Sequence, residues 1–322
     1  MSEPLLQLRD LSKTFPVRRG QPVHALRHVD LEIAEGQAVG LIGESGSGKS
    51  TLARIVVGLE EASGGQVAFG GERIDGLRGA ARRTVQRDIQ MIFQDSRASM
   101  NPRLRIGNIV AEPMITHGVD ASPQAVVALL ERVGLSERHA GLYPHQLSGG
   151  QRQRAAIARV VSVRPRLIVA DEPVSALDIS VQAQVLNLLK SLQEEFGTAF
   201  LFVSHDLGVV KFFCDRVAVL YLGETLEEGE GTTLLASPQH PYTRALASSV
   251  PSVRASEQRQ RIVLTGELPS PENPPTGCSF HPRCAERIGS ICDTVAPLPT
   301  PTIAGTARCH LLDKNLTKED AS

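Results

Sequence analysis

The sequence predicts an α/β fold built around a parallel sheet, because short apolar strands alternate with helical patterns along the chain. Ala38–Ile42, Leu167–Ala170 and Ala199–Val203 are continuous apolar runs of the length of buried strands. Between the last two, residues 181–196 repeat apolar side chains at the spacing of a helix. This alternation is typical of parallel strands that are joined by helical crossovers.

The rest of the chain predicts three additions to that sheet. Residues 5–9 and 29–33 alternate apolar with polar side chains, which indicates half-exposed antiparallel strands. Residues 96–160 lack convincing strands, and the patterns at 124–133 and 151–163 predict an inserted helical lobe. From about residue 236 prolines become dense and periodicity fades. We therefore expect one domain over residues 1–235 and a loop-rich C-terminal appendage over 236–322, with a disordered polar end from Asp313 onward.

Composition excludes several classes of protein. The chain has 322 residues, of which 41% are hydrophobic, so it can bury a sizeable core. Lys and Arg number 34 against 35 Asp and Glu, which argues against a dedicated nucleic-acid binder. No stretch approaches the roughly 18 apolar residues of a membrane span, and the N-terminus shows no secretory pattern. The sequence therefore predicts a cytoplasmic protein with no nucleic-acid partner.

A glycine-rich segment follows the first buried strand. Residues 43–50 read GESGSGKS, which fits the P-loop pattern G-x-x-x-x-G-K-S. Glycines let backbone N–H groups face phosphate oxygens, and the helix that follows presents its N-terminus to the anion. We expect Lys49 to reach the β- and γ-phosphates and the Ser50 hydroxyl to bind Mg²⁺. The predicted nucleotide-binding residues of this loop are Gly43, Ser45, Gly46, Ser47, Gly48, Lys49, Ser50 and Thr51.

Two carboxylates, Asp171 and Glu172, come directly after the strand Leu167–Ala170. Adjacent acids after a strand are usually only solvated, but their combination with a P-loop favours a shared site. Asp171 is predicted to hold Mg²⁺ through water, and Glu172 to orient or deprotonate the attacking water.

Residues 147–151 read LSGGQ and precede an alanine-rich helical pattern. A Ser-Gly-Gly at a helix start offers free N–H groups and a hydroxyl to an anion, although such a segment alone is equally typical of a helix N-cap. Together with the P-loop before it and the two carboxylates after it, this segment makes residues 5–235 resemble the ATP-binding cassette (ABC) ATPases. The resemblance implies that the signature residues of one subunit close over ATP held by the P-loop of another: Ser148, Gly149, Gly150 and Gln151.

Four more residues match motifs of that family in the expected order. By resemblance, Gln94 is the Q-loop glutamine that contacts Mg²⁺ and water, and His205 is the switch histidine that touches the γ-phosphate. Asp178 matches the D-loop at the dimer contact, and Phe15 aligns with the aromatic that stacks on adenine. The implied fold is a P-loop NTPase of the ABC ATPase type, with an antiparallel β subdomain, an inserted helical lobe and a loop-rich appendage. The implied catalytic residues are Glu172, His205 and Gln94, and the implied Mg²⁺ ligands are Ser50, Gln94 and Asp171.

Three segments resemble the ATPases of dipeptide/oligopeptide importers, namely residues 94–102, 238–246 and 277–284. The first departs from that group at Ser96, where proline is common. The resemblance implies a subunit that hydrolyses ATP to energise import of di- or oligopeptides or related solutes. Its implied partners are a second ATPase subunit, two transmembrane permease subunits and an extracytoplasmic solute-binding protein, at the cytoplasmic face of a bacterial inner membrane. Homodimer or heterodimer stays open, and so does a non-peptide solute such as nickel complexes, glutathione or opine-like compounds.

Four of the five cysteines lie in the appendage: Cys278, Cys284, Cys292 and Cys309. In a reducing cytosol such a cluster more often binds metal than forms disulfides, and thiolates suit zinc or an iron–sulfur cluster. The spacing is not the CxxC of structural zinc, and the importer resemblance favours a 4Fe–4S cluster over Zn²⁺ or no metal. Cys214, which has apolar neighbours, is predicted to be a buried apolar residue.

The alternative from a different functional class is a non-transport ABC ATPase. DNA-repair members of the family carry long coiled coils between the P-loop and the signature, and no heptad pattern occurs there in this chain. Translation-factor members usually carry two cassettes, whereas this sequence has one set of motifs. Both features favour the transporter.

Overall fold

The computed structural model describes residues 3–17, 20–95, 97–249 and 262–313. Ser96 and the polar end beyond Asp313 therefore lie outside the described residues. The chain divides into two compact units, a first of Ile33–Gln37 with Gly76–Val203, and a second of Glu3–Glu32, Ala38–Asp75 and the residues from Ser204 onward. The P-loop and the residues beyond 236 belong to the same unit, and the boundary at residue 235 remains a prediction.

The strands and helices of the described residues follow in chain order. None of these helices is long and apolar enough to cross a bilayer. The strands are β1 (Leu6–Phe15), β2 (Val23–Ile33), β3 (Ala38–Ile42), β4 (Gly64–Phe69), β5 (Glu72–Arg73), β6 (Ile89–Ile92), β7 (Leu167–Asp171), β8 (Ala199–Val203), β9 (Arg216–Tyr221), β10 (Glu224–Glu230), β11 (Pro299–Pro301) and β12 (Gly305–Arg308). The helices are α1 (Lys49–Val56), α2 (Gly79–Asp88), α3 (Ile106–Thr116), α4 (Pro123–Arg132), α5 (Gly149–Val161), α6 (Ile179–Phe196), α7 (Leu207–Phe213), α8 (Gly231–Ala236), α9 (Pro241–Ser248) and α10 (Ile291–Thr294).

The first unit is built on three parallel strands, with β7 between β6 and β8. Every residue of β7 and β8 is buried, as expected of parallel strands that are covered on both faces. The predicted strands are confirmed, and β7 is one residue longer, so that Asp171 is its last residue. Because the strands are parallel, the residues that follow β6 and β7 come to the same edge of the sheet.

The segment between β6 and β7 is helical in its described residues and contains no strand there, as predicted for the inserted lobe. Its helix α4 begins after Ser122, whose hydroxyl accepts a hydrogen bond from the Ala125 N–H, and Pro123 occupies the first turn. Helix α5 starts two residues before the predicted Gln151, because the glycines at 149 and 150 belong to its first turn.

The second unit contains an antiparallel sheet in the order β2-β1-β4-β5. The predicted half-exposed strands are confirmed but are longer than the alternating segments indicated. In β1 the pairing with β4 shifts register between Arg9 and Ser12, where Asp10 has a φ of 51°. This bulge interrupts the alternation, which explains why the pattern identified only the first half of the strand.

The second unit also contains the P-loop strand β3, which runs parallel to β9, followed outward by β10, β12 and β11 in antiparallel pairing. The appendage predicted as loop-rich therefore contributes two short strands to this sheet. Pro299 and Pro301 lie in β11, where an edge position tolerates the missing N–H groups.

Candidate functional site

The P-loop connects β3 to α1 and is closed by two glycines that no other residue could replace without strain. Gly43 has a φ of 149°, and a Cβ there would lie 2.1 Å from the Leu220 carbonyl oxygen. Gly48 has a φ of 102°, and a Cβ there would lie 2.4 Å from the Ala25 carbonyl oxygen. Both the dihedral angle and the close approach require glycine, as the sequence pattern predicts for a loop that wraps around phosphate.

Lys49 lies inside this loop and is 7% exposed. Its Nζ donates hydrogen bonds to the carbonyl oxygens of Gly43 at 2.7 Å and Glu44 at 2.8 Å. Ser45 and Gly46 form the exposed rim, whereas the Ser47 side chain is buried beside the lysine. Ser50 and Thr51 lie half-buried in the first turn of α1.

Two further predicted residues belong to the same unit as the P-loop. Phe15 is the last residue of β1 and is half-buried, with the Lys13 ammonium 4.7 Å from its ring centroid. His205 is exposed and lies between β8 and α7.

The first unit brings Gln94, Asp171 and Glu172 to one edge of its parallel sheet. Asp171, at the end of β7, is 5% exposed. Glu172 follows it, and its Oε2 accepts a hydrogen bond of 3.0 Å from Nε2 of Gln94, which comes just after β6. Residues 78 positions apart in the sequence are thus in direct contact, as parallel pairing of β6 and β7 dictates.

Glu172 adopts a φ of 46°, a left-handed conformation that is costly for a residue with a side chain. Its N–H donates to the Val203 carbonyl oxygen at 3.0 Å, which fixes the backbone against β8. Strained backbone held in this way clusters at functional sites, where it aims a side chain. No sequence pattern indicated this strain.

The signature residues form the exposed start of α5. Ser148 is the N-cap: its hydroxyl accepts from the Gln151 N–H at 3.3 Å, while Oε1 of Gln151 accepts from the Ser148 N–H at 3.0 Å. A Cβ on Gly150 would lie 2.6 Å from Cγ1 of Val181 in α6. Asp178, the exposed N-cap of α6, accepts from the Val181 N–H at 3.1 Å. The signature residues therefore lie at the start of α5, and the D-loop residue Asp178 lies at the start of α6, which packs against it.

The four late cysteines line one small cavity in the second unit. Within the described ranges, however, no group of three or more His, Cys, Asp or Glu side chains has the arrangement of a metal site. The predicted metal centre is therefore not confirmed. Cys214 is buried, as predicted.

The cavity has chemical features that bear on a metal. Burial raises the pKa of the Cys278 thiol to about 12 and that of Cys309 to about 11. His240, which also lines the cavity, has its pKa lowered by burial to about 3, and its Nδ1 accepts from the Tyr242 N–H. The buried Nε2 of His240 has no hydrogen-bond partner. Three buried thiols, the half-buried Cys284 thiol and the unpartnered Nε2 of His240 match a thiolate-bound group by residue type.

Comparison with known proteins places these motifs in a family. Residues 26–175 match a family model described as "ABC transporter". The oligopeptide transport ATP-binding protein AppF of Bacillus subtilis (strain 168) is 49% identical to this chain over 88% of its length and 89% of the relative's. The chain belongs to the ABC transporter family. It is an ATP-hydrolysing subunit of that family, as the motifs predicted.

Other comparisons agree with this assignment. A second B. subtilis (strain 168) relative of the ABC ATPase, the putative oligopeptide transport ATP-binding protein YkfD, is 45% identical over 98% of both chains. Among solved structures, the dimeric post-hydrolysis state of the ATP-binding cassette MJ0796 bound to ADP and Pi is 34% identical, with a TM-score of 0.64 over 70% of this chain and 98% of that one. Residues 226–292 match a second family model, described as "Oligopeptide/dipeptide transporter, C-terminal region".

Sequence analysis of this ABC ATPase missed a contact between its P-loop and the C-terminal appendage of residues 236–322, which is called the C-terminal extension from here on. Arg283 makes a two-pronged ion pair with Glu44, at 2.6 and 3.1 Å, and the Glu44 N–H donates to Tyr242 Oη at 2.8 Å. Glu44 and Arg283 are 239 positions apart, so no local pattern could reveal the pair. The two reciprocal hydrogen bonds between Ser148 and Gln151, by contrast, form a capping box, which is typical of the Ser-x-x-Gln spacing at a helix start.

Proposed function

We propose that this ABC ATPase energises the import of dipeptides or oligopeptides. The observation that carries the proposal is the match of residues 226–292 to the C-terminal region described for oligopeptide/dipeptide transporters. This region lies beyond the ATPase motifs, so the match adds information that the shared cassette does not contain. The names of AppF and YkfD, which cover most of the chain, support the same class of solute.

The residue roles proposed for hydrolysis are those of the matching ABC ATPase motifs. Lys49 and the P-loop N–H groups bind the phosphates, Phe15 stacks on adenine, and His205 touches the γ-phosphate. Ser50, Gln94 and Asp171 are the residues proposed to hold Mg²⁺, which when bound would neutralise charge at the phosphates. Glu172 orients or deprotonates the attacking water, a role supported by its strained backbone and its hydrogen bond from Gln94.

The proposed working unit is a pair of ATPase subunits on two permease subunits, with an extracytoplasmic solute-binding protein, at the cytoplasmic face of the inner membrane. In the pair, the exposed start of α5 in one subunit closes over ATP in the other. Support comes from the free N–H groups of that helix start beside Gly149, and from Asp178 at the exposed start of α6. The dimeric state of the MJ0796 structure supports the same arrangement.

The test is uptake in a strain that lacks this chain but keeps its permease subunits. A tripeptide of alanine that carries an isotope label is supplied, and accumulation is compared between strains carrying the natural chain and the variant Glu172→Gln. We expect uptake with the natural chain and none with the variant. Full tripeptide uptake in the strain without the chain would contradict the proposal.

Glutathione is the second candidate solute, because the glutathione import ATP-binding protein GsiA of Pectobacterium atrosepticum is 47% identical over 84% of this chain and 45% of GsiA. The same strains supplied with labelled glutathione separate the two candidates. Restoration of glutathione uptake without tripeptide uptake would favour the second candidate.

We also propose that Cys278, Cys284, Cys292 and Cys309 hold a 4Fe–4S cluster, with Zn²⁺ as the alternative. The shared cavity supports this, because it brings together four cysteines whose thiolates could bind such a group. The full chain is purified without oxygen, and iron, sulfide and zinc are measured. We expect about four irons per chain, lost in Cys284→Ser and kept in the control Cys214→Ser. A metal-free folded chain would refute both forms of the proposal.

A further inference from the structure

The second residue of the P-loop, Glu44, has its carboxylate and its backbone N–H bound by the C-terminal extension. Its carboxylate accepts from Nη1 and Nη2 of Arg283 at 2.6 and 3.1 Å. Its backbone N–H donates to Tyr242 Oη at 2.8 Å. Its carbonyl oxygen accepts from Lys49 Nζ at 2.8 Å. One residue therefore joins the extension to the phosphate-binding lysine.

The Arg283–Glu44 pair is shielded from solvent, which sets it apart from an ordinary surface ion pair. The Arg283 side chain is 8% exposed and that of Glu44 is 29% exposed. The guanidinium lies 5.9 Å from the ring centroid of Tyr221, which packs with Tyr242 and Phe280 at centroid distances of 4.8 and 5.3 Å. A two-pronged charged hydrogen bond in a shielded site is geometrically specific and stronger than an exposed pair.

Arg283 lies in the chain segment that joins two cysteines of the cavity, Cys278 and Cys284. It ends the 3-10 turn His281–Arg283, which lies between Cys278 and Cys284. The turn is closed by the His281 N–H donating to the Cys278 carbonyl oxygen at 3.0 Å and the Arg283 N–H donating to that of Phe280 at 3.0 Å. The backbone that carries two of the cavity's thiols thus also carries the guanidinium that holds Glu44.

We propose that Arg283 is a positioning residue for nucleotide binding: it fixes Glu44, and through it the P-loop, in the conformation that accepts the ATP phosphates. The extension thereby controls the affinity of the catalytic cassette for ATP. The pre-formed loop does not have to be ordered when ATP binds, so the pair lowers the cost of binding. This role is independent of whether the cavity holds a metal and of which solute is transported.

The test is a double-mutant cycle on the purified full chain, with Kd for MgATP measured by equilibrium binding. We expect Arg283→Met to weaken ATP binding about tenfold, a change worth about 1.4 kcal/mol. In the Glu44→Gln background the same substitution should change Kd less than about twofold, because a neutral amide with one acceptor oxygen has already replaced the carboxylate of the two-pronged pair. In the assembled transporter KM should rise while kcat stays within about twofold, since chemistry is performed elsewhere.

The matched control is Arg287→Met, which removes an arginine of the same segment that pairs with Asp293 instead of Glu44. It should leave Kd unchanged. If Arg283→Met does not fold, Arg283→Lys in both Glu44 backgrounds measures the same coupling, because lysine keeps the charge but not the two-pronged geometry. Equal effects of the Arg283 substitution with and without Glu44, or a Kd equal to that of the natural chain, would overturn the proposal.

Discussion

The side-chain amide of Gln94 donates a 3.0 Å hydrogen bond to Oε2 of Glu172. Gln94 follows β6, and Glu172 follows β7, the strand next to it. The amide therefore holds the carboxylate of a residue whose backbone is left-handed. A glutamine in this place donates to the carboxylate without adding a second negative charge beside it.

The first prediction concerns the charge next to Glu172. In Gln94→Glu two carboxylates would meet where an amide now donates, and their repulsion raises the pKa of the pair. In its proposed role Glu172 acts in the ionised form, so the acid limb of the kcat–pH profile should move upward by about one pH unit. The control is Gln90→Glu. Gln90 lies in β6, the strand that precedes Gln94, and its natural amide donates to the Gln86 carbonyl oxygen. An identical shift in both variants would show that the effect is not local to Glu172.

The second prediction concerns packing beneath the signature. In Gly150→Ala the new Cβ would lie 2.6 Å from Cγ1 of Val181, a side chain with restricted rotamers. We expect a loss of about 1–3 kcal/mol in the free energy of unfolding, measured by urea denaturation of the full chain. Gly149→Ala is the control, because its Cβ would meet Leu177 Cδ2 at an ordinary 3.7 Å. Equal stability of the two variants would contradict the close packing of α5 on α6.

Much of the fold and of the nucleotide site could be predicted because it depends on local patterns. The strand Ala199–Val203 was identified residue for residue, and the P-loop glycines occur where the backbone requires them. The spacing rules work because strand burial, helix starts and tight loops are decided within a few neighbouring residues.

The features that the sequence did not reveal depend on long-range pairing. The bulge at Asp10 and the addition of β12 to β10 result from partners far along the chain. The left-handed backbone of Glu172 depends on its bond to Val203, and the Arg283–Glu44 pair on the folding of the extension. Neither the alternation of apolar and polar residues nor the spacing or composition of the sequence predicts these contacts.

The third prediction concerns two carboxylates of the second unit whose pKa values are shifted in opposite directions, Glu227 and Glu230. Glu227 is 1% exposed, and burial raises its pKa above the ordinary 4.5, although it accepts from the N–H groups of Gln239 and His240. A raised folded-state pKa means that its stabilising contribution is full below about pH 4.5 and is lost as pH rises through the folded value. Relative to Glu227→Gln, the natural chain should therefore lose stability as pH increases.

The control for that prediction is Glu230→Gln. The exposed Glu230 carboxylate caps α8, and its hydrogen bonds from Thr233 and Thr232 lower its pKa. Its contribution is present above the unfolded value and is lost as pH falls, which is the opposite sign. Urea denaturation of all three proteins from about pH 3 to 8, a range that extends below the ordinary carboxyl pKa, measures both differences. Parallel pH profiles for the two variants would contradict the burial of Glu227.

The most direct test of the account is ATP hydrolysis by the assembled transporter that carries Glu172→Gln. The amide keeps the shape of the side chain but cannot take a proton from water, so kcat should fall by at least about 100-fold while ATP still binds. Glu195→Gln, which removes an exposed carboxylate that pairs with Arg132 on the surface of the same unit, should hydrolyse ATP at the natural rate. ATP retained without turnover in the Glu172 variant is the result that we predict. Hydrolysis at the natural rate by that variant would contradict the assignment of Glu172 and the catalytic site built around it.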